Sequence, residues 1–190
     1  MKSSNPWRDL VLRSVRTEAR RLRRLDEIVT LFSFVLVLAT FLCSLVAGFL
    51  FAFAIVVMPG IRNLDDRDFI RAFQTMDRVI QNNQPLFVIV WVGSVLTLAA
   101  SAVLAIREVH GLNLLLIITA ALVYFLGVQL PTVRINVPLN NALQKLDAAG
   151  MDDSAAKRAR SDFEPRWNRW NAIRTAFSVF TSLLLLLAGE

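Results

Sequence analysis

The chain contains one cysteine and one histidine in 190 residues. A lone Cys43 excludes an internal disulfide and any Cys-x-x-Cys motif. Set inside an apolar run, it reads as a small buried hydrophobe. A structural zinc site needs about four Cys or His ligands, and a catalytic one about three protein ligands. Cys43 and His110 are too few, so no metal or other cofactor is expected. Long repeats, low-complexity tracts, a phosphate-binding glycine loop and a nucleophile–base pair are all missing. Charge is missing locally: Ile28 to Met58 is a run of 31 residues without a charged side chain.

What is present is apolar. Hydrophobic residues make up 55% of the chain and the mean hydropathy is +0.52, which indicates a membrane protein rather than a soluble domain. Four spans are predicted, at about 28–58, 85–106, 112–130 and 170–188. The expected fold is all-α: an integral membrane four-helix bundle with amphipathic interfacial helices. Residues 28–190 form its four-span membrane domain, and residues 1–27 a basic amphipathic N-terminal segment. At roughly 1.5 Å per residue the first run is longer than a bilayer core of about 30 Å, so it should tilt or project. It is too long for a signal-peptide core and reads as an uncleaved anchor. Pro131 bounds the third span. Small residues at helical spacing, Gly48/Ala52, Gly93/Thr97/Ser101 and Ala172/Ala176, suit close helix contacts.

Net charge is +6, and eight of the 21 Lys and Arg lie in the first 24 residues. Beside a long apolar span this block suits an acidic membrane surface, not nucleic acid. Leu10, Val11, Val15, Leu22 and Leu25 among the arginines, with Trp7 near their start, suggest a helix on the membrane surface. Residues 65–81 form a second amphipathic helix, capped by Asp65 or Asp66, with Phe69, Phe73, Met76 and Ile80 on one face. The arginines crowding Ile28 place the N-terminus, and with four spans the C-terminus, in the cytoplasm. The expected location is a bacterial inner (plasma) membrane.

The informative stretch is the polar crossing between the last two spans, residues 131–169. It opens with Thr132-Val-Arg-Ile-Asn136-Val-Pro138-Leu-Asn140. It closes with Trp167-Asn-Arg-Trp170-Asn171-Ala-Ile-Arg174. Pro138 can begin a helix with Asn136 near its cap. If that helix extends back to Asn136, the Asn136 and Asn140 amides converge. Trp167, Trp170, Asn171 and Arg174 fall at i, i+3, i+4 and i+7, one stripe of the fourth helix. Together these side chains make a donor-rich pocket mouth for an anion, a carbonyl or a phenolate. Each also has a plainer role: Trp as an interfacial anchor, Arg174 snorkelling, Asn as a cap.

The order of features resembles the anthrone-oxygenase-like family of small four-span membrane proteins. The matching pieces are Gly48 to Pro59 and Met76-Asp-Arg-Val-Ile with Asn83-Gln-Pro85. They continue with Thr132…Asn136-Val-Pro138-Leu-Asn140…Leu143 and Trp167…Trp170-Asn171…Arg174, so the likeness covers roughly residues 40–188. Fungal members oxidise anthrones to anthraquinones, whereas most bacterial members have no assigned reaction. Enzyme activity is thus a separate inference from membership. If it carries over, the resemblance implies a substrate carbanion reacting directly with dioxygen. Arg174, with Asn136, Asn140 and Asn171, would stabilise the oxyanion, and Asp77 would be the base, ahead of Asp147. Arg174 and Asp77 are then the expected catalytic residues. Asn136, Asn140, Trp167, Trp170 and Asn171 are the expected substrate contacts. The competing reading is a non-catalytic membrane subunit or a small-molecule or lipid-binding protein. Expected partners are membrane lipid, a lipophilic small molecule, and a protein partner or second copy. A channel or transporter ranks last, because the spans are apolar along their middles and no inverted repeat is visible.

Overall fold

The computed structural model describes residues 6–189, and every element among them is helical. Helix α1 (Pro6–Ala52) passes through a π-helical turn (Phe53–Val57) into α2 (Met58–Ile61). Then come α3 (Asp66–Gln81), α4 (Pro85–Glu108) and α5 (Gly111–Tyr124). Two further π turns, Phe125–Gln129 and Thr132–Asn136, lead into α6 (Val137–Gln144), and α7 runs Asp153–Ala188. Four helices are long and apolar enough to cross a membrane: Val29–Ile61, Pro85–Glu108, Gly111–Gln144 and Asp153–Ala188. The protein is an integral membrane helical bundle. The basic N-terminal segment is continuous with the first span in α1. Its apolar side chains, from Trp7 to Leu25, lie outside the described residues.

Two spans outrun their expected ends. The third does not stop at Pro131 but continues as helix to Gln144. The fourth begins at Asp153, where Asp152 caps it by accepting from Ala155 N–H at 2.7 Å. The polar crossing is therefore a helical hairpin whose turn is residues 145–152. The prolines explain how the helices continue. A proline has no N–H and crowds the carbonyl four residues back. Pro59, Pro131 and Pro138 put that crowding at Ile55, Gly127 and Arg134, and each of the three lies inside a π turn. The ladder widens there, with Met58, Leu130 and Val137 N–H reaching Phe53, Phe125 and Thr132 carbonyls, five residues back. Asn136 consequently has helical backbone angles and makes no capping bond; its side chain is free for tertiary contacts.

The spans bury one core and the region beyond them a second. In the bundle, α1 packs on α4 and α7, and α5 packs on α4 and α7. Val46, Leu50, Leu98, Ile117, Tyr124 and Leu185 fill the space between them. Beyond the bundle, α3 lies on α6 and the start of α7. Phe69, Ile70 and Phe73 are buried against Leu143, Phe163 and Trp167, each contributing about 1.5–3 kcal/mol. Asp65 caps α3 through Asp68 N–H at 2.8 Å. Arg160 of α7 ties down the chain before α3. It donates to the Arg62 and Leu64 carbonyls, pairs with Asp66 and Glu164, and lies 4.3 Å from the Phe69 ring centre. Gln74 and Gln144 exchange bonds across α3 and α6: Gln74 Nε2 donates to the Leu143 and Leu146 carbonyls, and Gln144 Nε2 to the Gln74 carbonyl. The amphipathic face of α3 is thus covered by protein.

The small-residue pairs divide. Gly93 meets Leu42 and Ser101 is fully buried, so that stripe packs on α1. Gly48 has open space around it, so the Gly48/Ala52 pair makes no close contact within the chain. The tightest glycine is Gly127, where a Cβ would collide with the Phe177 ring. Gly127→Ala should lower stability by about 1–3 kcal/mol, the usual cost of overpacking. Gly48→Ala should change it by less than about 0.5 kcal/mol. Thermal unfolding in detergent micelles compares the two.

Candidate functional site

A pocket of about 160 Å³ lies where the bundle meets the α3 roof, and all four spans contribute to its wall. The first supplies Phe49, Leu50 and Phe53; the second, Phe87 and Trp91. Thr132, Asn136, Val137 and Asn140 come from the third, and Trp167, Asn171 and Arg174 from the fourth. Helix α3 adds Phe73, Asp77 and Ile80. Six of these fifteen residues are aromatic. Rings follow one another from Phe163 to Phe73 (4.6 Å), Phe73 to Trp167 (5.4 Å) and Trp167 to Phe53 (5.8 Å). They continue from Phe53 to Phe49 (4.9 Å), Phe49 to Phe87 (5.4 Å) and Phe87 to Trp91 (5.4 Å).

Arg174 supplies the positive charge. It is 4% exposed and forms no ion pair among the described residues. Its Nη1 donates to Thr132 Oγ1 at 2.9 Å and its Nη2 to Asn171 Oδ1 at 3.0 Å. Those two acceptors are themselves fixed. Thr132 Oγ1 donates to the Val128 carbonyl at 2.7 Å, and Asn171 Nδ2 to the Leu50 carbonyl at 3.1 Å. The guanidinium also lies 5.9 Å from the Trp167 ring centre, within cation–π range. Its Nε has no partner among the described residues. Nor does Asn136 Oδ1, although Asn136 is 2% exposed and its Nδ2 reaches only the Trp167 carbonyl, at 3.5 Å. The wall thus carries one buried unpaired donor and one buried unpaired acceptor.

Asp77 supplies the negative charge and is 4% exposed. Three amides hold it: Asn140 Nδ2 donates to Oδ1 at 2.7 Å, and Gln81 and Gln144 Nε2 donate to Oδ2 at 2.6 and 3.0 Å. Trp167 Nε1 donates to Asn140 Oδ1 at 2.8 Å, which fixes the Asn140 amide so that its NH₂ faces Asp77. Trp91 is held by Gln129, its Nε1 donating to Oε1 at 3.1 Å.

Six of the seven residues picked out from sequence therefore line one pocket: Asp77, Asn136, Asn140, Trp167, Asn171 and Arg174. Trp170 does not. It sits at the edge of the fourth-helix stripe and rests half-buried against Leu126, Leu130, Pro131, Arg134 and Ile135 on another surface. Asp147 also lies apart: it is exposed and accepts from Ala149 N–H in the hairpin turn. The sequence does not mark Phe49, Phe53, Phe87 and Trp91 as site residues, because an aromatic residue in an apolar span carries no mark of its own. Thr132 was visible as the first polar residue after Pro131. Among the described residues, no three His, Cys, Asp or Glu side chains cluster as metal ligands would.

The family model described as anthrone oxygenase matches residues 73–184, more than half of the 190-residue chain. The chain belongs to that family. The match takes in α3 from Phe73, the second and third spans and most of the fourth, so it holds every polar residue of the pocket. No curated protein and no solved structure matches the chain.

Asn140→Leu would leave the Trp167 indole N–H and one Asp77 oxygen without their bonds. The expected loss is roughly 1–3 kcal/mol, the cost of stranding buried polar groups. Gln144→Leu leaves Asp77 its Asn140 and Gln81 bonds and should cost less. Thermal unfolding in detergent ranks the two.

Proposed function

We propose that this protein is a membrane-embedded oxygenase that acts on an aromatic, lipophilic substrate without a cofactor. The observation that carries this is Arg174, a buried guanidinium with no carboxylate partner and an unpaired Nε among the described residues, set in a pocket lined by six aromatic rings. Family membership supports the reaction class. Asp77 takes a proton from a methylene that is acidified by a carbonyl conjugated to it through the flanking aromatic rings. The negative charge moves onto the carbonyl oxygen, where Arg174 stabilises it as a fixed donor already in place. The carbanion carbon then bonds to dioxygen, giving a hydroperoxide once protonated. Loss of water leaves a second carbonyl. The sum is one methylene plus O₂ giving one carbonyl plus H₂O, with dioxygen as the oxidant. Asn136 and Asn171 orient the substrate oxygen, and the aromatic wall holds the rings.

Two further readings go with this. The N-terminus is cytoplasmic, given the arginines before Ile28, in a bacterial plasma membrane. The pocket then belongs to the opposite side, and membrane lipid is the reservoir of substrate. One observation favours a second function, binding without turnover in a membrane subunit or lipid carrier: Asp77 already accepts three amide bonds, as a structural carboxylate would.

Turnover decides between them. With anthrone as substrate, oxygen uptake and quinone absorbance should fall about 10²–10³-fold in Arg174→Ala and about 10²–10⁴-fold in Asp77→Asn. Asn136→Ala should lower turnover as well. Unchanged turnover in both Arg174→Ala and Asp77→Asn would end the oxygenase reading. Anthrone binding without turnover in the unsubstituted protein would support the binder.

A further inference from the structure

We propose that the pocket is filled sideways from the bilayer, through the cleft between the second and third spans. Its ligand is an amphiphile that sets a hydrogen-bonding edge against Arg174 and Asn136 and leaves its apolar remainder in the cleft.

The wall is unevenly covered. Asn136, Asn171 and Arg174 are 4% exposed or less; Phe49, Phe53, Ile80, Phe87, Trp91 and Asn140 are half-buried, and Val137, at 41%, is the most exposed residue of the wall. The wall is therefore most open at Val137 on the third span. On the second and third spans Leu86, Ile89 and Val133 are among the most exposed apolar residues in the chain, as lipid-facing side chains are. The aqueous side is closed differently. There α3 is pinned to α6 by Gln74 and Gln144, to α6 and α7 through the Asp77–Asn140–Trp167 chain, and to α7 by Arg160. The covered face is knit by polar bonds, while the opening is rimmed by apolar side chains.

The size of the pocket supports the pose. A cavity of about 150 Å³ accepts a single benzene ring, and this one is about 160 Å³. A larger molecule must leave the rest of itself in the cleft, against Phe87, Trp91 and Val137. The polar requirement is equally specific. Arg174 Nε needs an acceptor and Asn136 Oδ1 needs a donor. A ligand edge carrying both, such as a carbonyl beside a hydroxyl, matches them in chemical type once a small side-chain shift uncovers them. The inference takes from the proposed oxygenase only that a lipophilic molecule occupies this pocket.

Cysteine labelling in phosphatidylcholine vesicles tests it without any turnover. Cys43, the only cysteine in the chain, is buried and serves as background. Val137→Cys places a thiol at the opening, Phe87→Cys repeats the measurement from the opposite helix, and Lys157→Cys on the exposed start of α7 is the aqueous control. The rate with pyrenyl maleimide is divided by the rate with a sulfonated methanethiosulfonate. For Val137→Cys and Phe87→Cys this ratio should exceed that of Lys157→Cys at least about tenfold, one decade in relative partition. Anthrone supplies the acceptor half of that edge, its carbonyl; it should slow pyrenyl maleimide labelling of both, and should do so less when Arg174→Leu is added. The proposal is overturned if the sulfonated reagent labels the cleft positions as fast as Lys157→Cys, or if anthrone gives no Arg174-dependent protection. A protein that is labelled and protected as expected yet never oxidises anthrone would remove the oxygenase reading and keep this one.

Discussion

A buried guanidinium without a carboxylate is the constraint around which this bundle is built. Desolvating a charge costs several kcal/mol, and removing a partner from a buried pair strands the other. Arg174 is held by a hydroxyl and an amide oxygen instead of an anion. Each acceptor is then fixed by a backbone carbonyl from a different place, Thr132 by Val128 and Asn171 by Leu50. One charge on the fourth span thereby sets the register of the first and third spans against it. The Arg174 Nε is buried without a partner among the described residues.

Backbone chemistry makes that arrangement possible. In hydrocarbon every N–H and C=O must find a partner within the protein. A proline in a span removes one donor and crowds one acceptor, and the widened turns after Ala52, Tyr124 and Pro131 absorb both effects without ending the helix. The pocket gains from this directly. Phe53, Thr132 and Asn136 lie within those turns, and Val137 and Asn140 follow at once. Continuing the helix past Pro131 and Pro138 is what carries Asn136 and Asn140 onto one wall, opposite Trp167 and Arg174. A helix that broke at Pro131 would leave those amides in a loop, where water and backbone would compete for them.

That step marks the limit of what the sequence discloses. Long uncharged runs mark spans because the bilayer permits little else, so the four helices and the apolar face of α3 were legible, and the cap was narrowed to Asp65 or Asp66, of which the structure uses Asp65. Polar residues stand out against an apolar background, so Arg174, Asn171, Asn136 and Asp77 were legible as a set. Whether a proline ends a helix or widens it depends on the packing around it. Gly127 sits under the Phe177 ring and allows the third span to pass, a condition that pairs positions 50 residues apart. Trp170 shows the opposite limit. Helical spacing puts it beside Trp167 and Arg174, but i+3 and i+4 neighbours diverge in angle, and the ring goes to the surface of the third span instead. The aromatic wall was invisible for a simpler reason: among 13 phenylalanines, spacing alone does not say which face a cavity.

The two charges of the pocket are arranged in a way that bears on chemistry. Arg174 and Asp77 line the same cavity but form no ion pair; one is solvated by Thr132 and Asn171, the other by Asn140, Gln81 and Gln144. A direct contact would cancel their fields and leave a stable, inert pair. Each is instead bound by neutral dipoles, so neither charge is cancelled by a direct contact. In the proposed reaction these are the group that takes the proton and the group that stabilises the resulting negative charge. The dipoles that maintain the separation are fixed by the fold before any ligand arrives, so no reorganisation is needed as charge moves. The same separation accounts for the outer architecture. Asp77 reaches the pocket only because α3 folds back over the bundle, and α3 stays there through Gln74, Gln144 and Arg160. The roof is thus the means by which a carboxylate from outside the spans is brought to face an arginine inside one.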